Sequence, residues 1–335
     1  MNSGNIYVGI DLHKSQFDYV MLSALGLEVA SGKRTTVFED VSDFARGLTL
    51  RHQVVLEPLQ NGYWFVNQLR PYAGGVHLAN PSRVRLIAES RLKNDRIDAR
   101  VLADLLRVGY LPEVYIPEDE VIRWRNLVHH RIQLVKDRTR IKNRILGLIN
   151  REGHKIVYSD PFGSRGRAQL DSLELSFCLR RMVDNYLMSL DLLSAQIEVL
   201  DSEITQIADS DLEACLLRTI DGIGAFTALA IRAAVGDMKR FKSPKAFAAY
   251  TGLIPSYRQS ANRTHNGPIT KQGVTTLRWV LIQAVPHAIR KSDYLKRMYH
   301  RICFRSSVPK AKVAVAHALA RIIYHVWMEA RPYYR

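Results

Sequence analysis

The chain has 335 residues, 47% of them hydrophobic, and 48 Lys and Arg against 32 Asp and Glu leave a formal charge of +16. That length allows two or three domains with full cores, and the basic excess points to a polyanionic partner, a nucleic acid before a membrane surface. No apolar run is long enough for a transmembrane helix, no signal-peptide layout precedes the first strand, and Cys178, Cys215 and Cys303 are too few and too scattered for a disulfide framework or zinc site. A cytoplasmic protein without a membrane partner is expected.

From the amino end, Asn5 to Leu12, Phe17 to Leu22 and Leu27 to Thr36 read as three strands in an antiparallel meander. A helix over Val41 to Leu50 follows, then an apolar strand that ends at Glu57, a helix over Tyr63 to Tyr72 and a strand at Val76 to Ala79. Arg96 to Val108 then sets Ile97, Val101, Leu102, Leu105 and Leu106 on one side of a helix. Asp11 lies in the first strand, Glu57 ends the fourth, and Asp95 and Asp98, three apart, share one face of the last helix. Any one of these acids alone is ordinarily a surface residue. Two acids at strand ends and two on one helix face point to a shared divalent cation, Mg²⁺ or Mn²⁺, because clustered carboxylates repel unless a hard cation neutralises them. The order of elements is that of an RNase H-like mixed sheet, with a generic α/β domain as the alternative.

Pro112 to Pro117 reads as a linker and Val121 to Asn150 as a long helix. Leu127, Leu134, Ile141 and Leu148 recur every seven residues, the pattern of a coiled coil or helical hairpin. The rest of that helix carries Arg123, Arg125, Arg131, Lys136, Arg138, Arg140, Lys142 and Arg144 with Asp137 the one acid among them, a density suited to phosphates rather than to a merely solvated face. After a break at Gly153 to Arg167, a second helix over Ser172 to Asp209 is expected to pair antiparallel with the first, the seam doubling as a dimer contact.

Thr219 to Thr227 holds Gly222 and Gly224 between helical runs, either a plain tight turn or a hairpin offering backbone N–H groups to a DNA phosphate. Beyond a helix start at Pro244 to Tyr250, Ser256 to Gln272 reads as a polar loop with Arg258, Ser260, Arg263, His265 and Lys271. Helices over Thr275 to Arg290, Ser292 to Arg305 and Lys310 to Glu329 close the chain; aromatic and basic residues interleave in the last two (Tyr294, Arg297, Tyr299, Arg301, Arg321, Tyr324, Trp327), and the aromatics at helical spacing read as core positions. The fold class expected is α/β plus α, divided into residues 1–111, 118–210 and 211–335.

Val8-Gly9-Ile10-Asp11, the strand end at Glu57, Asn80-Pro81 and Lys93 to Arg100 together resemble the amino half of the DEDD insertion-sequence transposases, a group related to the Piv invertases. Ile220-Asp221-Gly222-Ile223-Gly224, Phe247 to Pro255, Ile269 to Gly273 and Leu277-Arg278 resemble that family's carboxy-terminal transposase domain, in the family's order. The resemblance implies a RuvC-like domain holding Mg²⁺ through Asp11, Glu57, Asp95 and Asp98. It also implies a nucleophilic serine after the Gly-x-x-Pro element, here Ser260, followed by Ala261 where relatives usually carry Gly. A structured guide RNA pairing with donor and target double-stranded DNA, and a homodimer or homotetramer, are implied likewise. Arg258, Arg263, Lys271 and Arg278 surround that serine in sequence and suit the charge developing on a phosphoryl group. Two other readings are a metal-dependent Holliday-junction nuclease using water, and a non-catalytic RNA- or DNA-binding scaffold.

Overall fold

A computed structural model describes residues 4–59, 62–87, 94–260 and 263–334, with backbone alone for 257–260 and 263–266. The chain divides into two compact units, Met1–Ile116 and Pro117–Arg335.

The first unit is a six-stranded mixed sheet flanked by helices. In chain order it runs β1 (Ile6–Leu12), β2 (Gln16–Leu22), β3 (Glu28–Thr35), α1 (Phe38–Arg46), β4 (His52–Leu56), α2 (Gly62–Leu69), β5 (Gly75–Ala79), α3 (Pro81–Ile87), α4 (Asp95–Arg107) and β6 (Glu113–Val114). The strands lie in the order β3-β2-β1-β4-β5-β6. β1, β2 and β3 are antiparallel, β4 is parallel to β1, β5 is parallel to β4, and β6 runs antiparallel to β5. Alternation along the strands sends Val8, Ile10, Leu12, Val54 and Leu56 to one face, where they pack with Val41 and Phe44 of α1 and Phe65 and Leu69 of α2. Each such side chain contributes about 1.5–3 kcal/mol by leaving water. Phe17 anchors that layer with edge-on contacts to Phe44 and Phe65 at 5.3 and 5.0 Å. The opposite face carries α4: Ala99 and Ala103 pack with Val20 and Leu22, and Leu102 and Leu105 with Val55 and Ala79.

Two short elements depart from the sequence-based expectation. α3 begins at Pro81 behind Asn80, whose side chain accepts from Arg83 N–H, a helix start built from the same Asn-Pro pair that also suits a strand end. β6 lies inside the expected linker, and its two residues are too short a run to show any alternation.

The second unit contains α5 (Asp119–Arg151), α6 (Ser164–Ser172), α7 (Phe177–Ser210), α8 (Leu212–Leu217), α9 (Ala225–Val235), α10 (Pro244–Thr251), β7 (Pro255–Ser260), β8 (Arg263–Ile269), α11 (Thr275–Lys291), α12 (Asp293–Arg305) and α13 (Val308–Glu329). α5 and α7 pair antiparallel. At one end Ile145 and Ile149 meet Leu179, Val183, Leu187 and Leu190. At the other Val121, Trp124, Val128 and Ile132 join Ile204 and Ala208 in the core that α9, α11 and α13 also fill. The seam residues Leu127, Ile141 and Leu148 pack into these two cores, so the chain's own helices take up the stripe read from sequence as a dimer contact. Arg232 of α9 locks this core: its guanidinium lies 5.4 Å from the rings of both Trp124 and Trp327 and bonds Glu213. The segment 256–272, expected as a polar loop, holds the β7–β8 hairpin, paired from Pro255↔Ile269 to Ser260↔Arg263. Its two segments are mostly polar in sequence, so no apolar alternation marks them as strands.

Candidate metal centre and nucleic-acid surfaces

The way β1, β4 and α4 are laid together brings these acids to one edge of the sheet. β1 and β4 are parallel with Ile10 opposite Leu56, so the next step along each strand brings Asp11 and Glu57 to the same carboxyl edge of the sheet. Loops and helix ends at that edge are where open α/β sheets bind ligands. Asp11 has the parity of Gly9, which faces α4, and Glu57 has the parity of Val55, which packs against Leu102 and Leu105 of the same helix. Gly9 sets the approach of α4: a Cβ there would come within 1.9 Å of the Ala99 carbonyl oxygen and 2.7 Å of the Ala103 nitrogen. With no side chain at Gly9, the first turn of α4 comes alongside β1 and delivers Asp95 and Asp98 beside Asp11. Asn94 caps that turn by accepting from Arg96 N–H. Arg96 and Arg100 both reach across to Glu28 on β3, so these two helix cations serve the sheet rather than the acids.

His13, just past β1, completes the group. Its Nε2 lies 3.1 Å from Asp11 Oδ2 and 3.6 Å from Asp95 Oδ2. One potential ligand atom from each of Asp11, His13 and Asp95 falls within 4.8 Å of the others. Burial lifts the Asp11 carboxyl above its ordinary range; His13 opposes that rise, and the charges of Asp95 and Asp98 add to it. Two carboxylates and an imidazole within ligand reach, with a third carboxylate felt electrostatically, are a donor set that fits a divalent cation. His13 was not expected from the sequence, where its one signal is its place two residues after a strand-borne aspartate.

The basic residues of α5 divide into two sets. Arg125 donates to the carbonyls of Ala233 and Ala234 at the end of α9. Arg131 makes a two-pronged pair with Asp201 at 2.8 and 2.9 Å and lies 4.3 Å from the Phe226 ring. Lys142 sits over Phe162, and Arg144 lies 6.0 Å from the ring of Tyr186 while its side chain stays exposed. Arg123, Lys136 and Arg140 are exposed, Arg140 beside Asp137, and Arg138 is half-buried. Arg125 and Arg131 hold the fold together; the exposed residues present charge to solvent.

In the turn before α9, Gly222 has φ +88° and lies where a Cβ would come 2.5 Å from the Ala288 nitrogen of α11, so packing and backbone both demand glycine. Gly224 caps α9, is exposed and has open space around it. Arg278 donates to the carbonyl of Lys271, which holds φ +52° in the segment between the hairpin and α11. Ser260 ends β7 opposite Arg263. The side chains of Arg258, Ser260, Arg263 and His265 lie outside the described residues, and so do Lys93 and Ala261. Among the described residues no helix is long and apolar enough to cross a membrane.

Known proteins carry the same two halves. Residues 8–152 match the DEDD transposase family of the IS110 type, and residues 214–300 match the family described as transposase IS116/IS110/IS902. A probable family 20 transposase of Pseudomonas aeruginosa is 26% identical over 95% of each chain. The transposase for insertion sequence element IS1111A of Coxiella burnetii is 26% identical over 95% of this chain and 88% of its own. The pilin gene-inverting protein of Moraxella bovis is 28% identical over 77% of this chain and 74% of its own. The first match spans the sheet with its acids and all of α5, and the second spans the turn at Gly222 through most of α12; the chain belongs to the IS110-type family of insertion-sequence transposases.

Proposed function

We propose that this protein recombines DNA through a serine nucleophile served by a metal centre on an RNase H-like, RuvC-like sheet. The observation that carries the reading is the gathering of Asp11, His13 and Asp95 at the carboxyl edge of a sheet ordered β3-β2-β1-β4-β5, with its first three strands antiparallel. In this reading Asp11, Glu57, Asp95 and Asp98 hold Mg²⁺ or Mn²⁺, with His13 beside them. The bound cation supplies Lewis-acid stabilisation of charge on the phosphoryl and leaving oxygens. Ser260 Oγ attacks the phosphorus of a DNA phosphodiester, the bond from phosphorus to the sugar oxygen breaks, and the seryl proton ends on the released sugar hydroxyl. The resulting phosphoserine link keeps the energy of the broken ester, so attack by another strand's hydroxyl rejoins DNA and restores the serine. Arg258, Arg263, Lys271 and Arg278 balance charge on the pentavalent phosphorus.

The exposed residues Arg123, Lys136, Arg140 and Arg144 and the turn at Gly224 hold donor and target duplexes and a structured guide RNA by their phosphates. Handling two duplexes calls for a homodimer or homotetramer, working on DNA in the cytoplasm. Incubating the protein with labelled donor DNA and trapping covalent complexes in denaturing gels tests the chemistry. Ser260→Ala is expected to lose both the adduct and recombination while binding DNA normally. An adduct that survives in Ser260→Ala refutes the assignment; cleavage without any adduct means that water is the nucleophile.

A further inference from the structure

The aromatic and basic residues that interleave in the last two helices look alike in sequence, but the structure separates them. Tyr324 and Trp327 of α13 are buried in the helical core. On α12, Leu295 faces that core, while Tyr294, Arg297, Arg301, Phe304 and Arg305 are all exposed. Their spacing of three, four and three or four residues places them on one helical face, about 15 Å long at 1.5 Å per residue. Phe304, at the end of that face, is 94% exposed among three arginines, a position with no packing role in this chain. Asp293 is the single acid of the helix and lies in its first turn. At the other end of the face, Tyr294 opens onto a cavity of about 570 Å³ lined also by Arg321, His325, Arg331, Tyr333 and Tyr334. Glu329, the acid at that cavity, pairs with His325.

We propose that the outer face of α12, from Tyr294 to Phe304, binds an unpaired stretch of DNA strand. The rings of Phe304 and Tyr294 stack on bases, and Arg297, Arg301 and Arg305 neutralise the phosphates between them. Aromatic rings alternating with cations are the arrangement that single strands need, because unpaired bases offer their faces while duplex bases keep theirs stacked. An apolar protein partner would leave three arginines desolvated without counter-charge; a DNA strand supplies that counter-charge with the stacking surface. The inference rests on reading the chain as a DNA-acting enzyme, whose cut strands present such unpaired stretches.

The test uses the full chain in EDTA, so that the metal centre plays no part. Anisotropy of labelled 20-nucleotide oligomers, as single-stranded DNA, the same sequence in RNA, and duplex DNA, is followed across a salt series. Phe304→Ala is expected to weaken single-stranded DNA about tenfold and duplex by less than about twofold, since one stacked base is lost. Phe304→Trp should restore the affinity and Phe304→Leu should not. Arg297→Gln and Arg301→Gln should each lower the salt slope for single strands by about 0.7. Because these side chains are exposed, unchanged thermal unfolding is expected of every variant. Unchanged single-strand affinity in Phe304→Ala overturns the proposal, as does an equal loss on duplex, a loss confined to RNA, or a change in oligomeric state without a change in DNA binding. Since EDTA removes any cation and the readout is binding rather than an adduct, a failure here leaves the metal-centre reading standing, and each idea fails separately.

Discussion

The two units use charge in opposite ways. In the sheet unit topology gathers a few acids at one edge: parallel β1 and β4 end together, and α4 is drawn onto β1 at Gly9. In the helical unit cations are abundant, and being basic says little about what a residue does. Arg125, Arg131 and Arg232 are tied to carbonyls, carboxylates and aromatic rings of the chain itself, whereas Lys136 on the same α5 is exposed. Clustered like charge costs free energy and so marks a function that repays it. Dispersed charge on a long helix is cheap, and the fold recruits part of it for its own cohesion.

The sharpest way to break this contrast is at Asp11. Asp11→Asn keeps the size of the side chain and removes one of the anionic ligands, so recombination should fall by about a hundredfold or more, while DNA affinity holds or rises slightly. A plasmid recombination assay paired with calorimetric titration of Mn²⁺ reads both, and full activity in this variant would mean that the acids are bystanders. Next in size is Gly9→Ala. The added methyl would sit 1.9 Å from the Ala99 carbonyl oxygen, so α4 must shift away from β1. Overpacking of this kind costs about 1–3 kcal/mol. Mn²⁺ affinity should fall together with the melting temperature although no ligand has changed; a variant that loses stability but keeps its metal affinity would show that α4 does not set the geometry.

The same contrast explains what could be read from sequence. The sheet unit was legible because its strands are apolar runs with acids at their ends, a local pattern that survives folding. Five of the six strands, the positions of Asp11, Glu57, Asp95 and Asp98 along their elements, and the α5–α7 pairing all follow from period and spacing. His13 was missed because its role depends on Asp95, eighty-two positions away in the chain, being carried to it by α4. The β7–β8 hairpin was missed because its mostly polar sequence lacks the apolar alternation that marks a strand. The arginines of α5 were read as one set because the partners that distinguish them, Asp201, Phe226 and the carbonyls closing α9, lie 70 to 109 residues further along. Sequence carries the elements; which cation is drawn inward is decided by their packing.

That division on α5 is itself open to a paired test. Arg131→Gln removes the two-pronged contact with Asp201 and the contact with Phe226, and with both partners only partly covered the loss should be about 1 kcal/mol of unfolding free energy. Lys136→Gln should leave stability within about 0.5 kcal/mol and instead lower the salt slope of duplex binding by about one. If Arg131→Gln flattens the salt slope while Lys136→Gln does not, the assignment of the two residues is reversed.

The smallest effect separates the units by pH. His52, buried beside Thr49 at the start of β4, and His317, partly buried on α13, are both held below the ordinary histidine value of 6.5. Burial is the main cause in each, and Arg321 adds to it at His317. The folded protein therefore prefers both rings neutral, and the unfolded chain takes up protons first as the medium turns acidic. Their contribution to stability is complete above about pH 6.5 and is lost as pH falls below that value. Denaturant unfolding at pH 7.5 and 5.5 should show the slope in the wild type. His52→Gln should remove it from the transition of the sheet unit and His317→Gln from that of the helical unit. If either variant flattens the pH response of both transitions equally, the two units unfold as one, and the division at Ile116 describes packing without describing cooperativity.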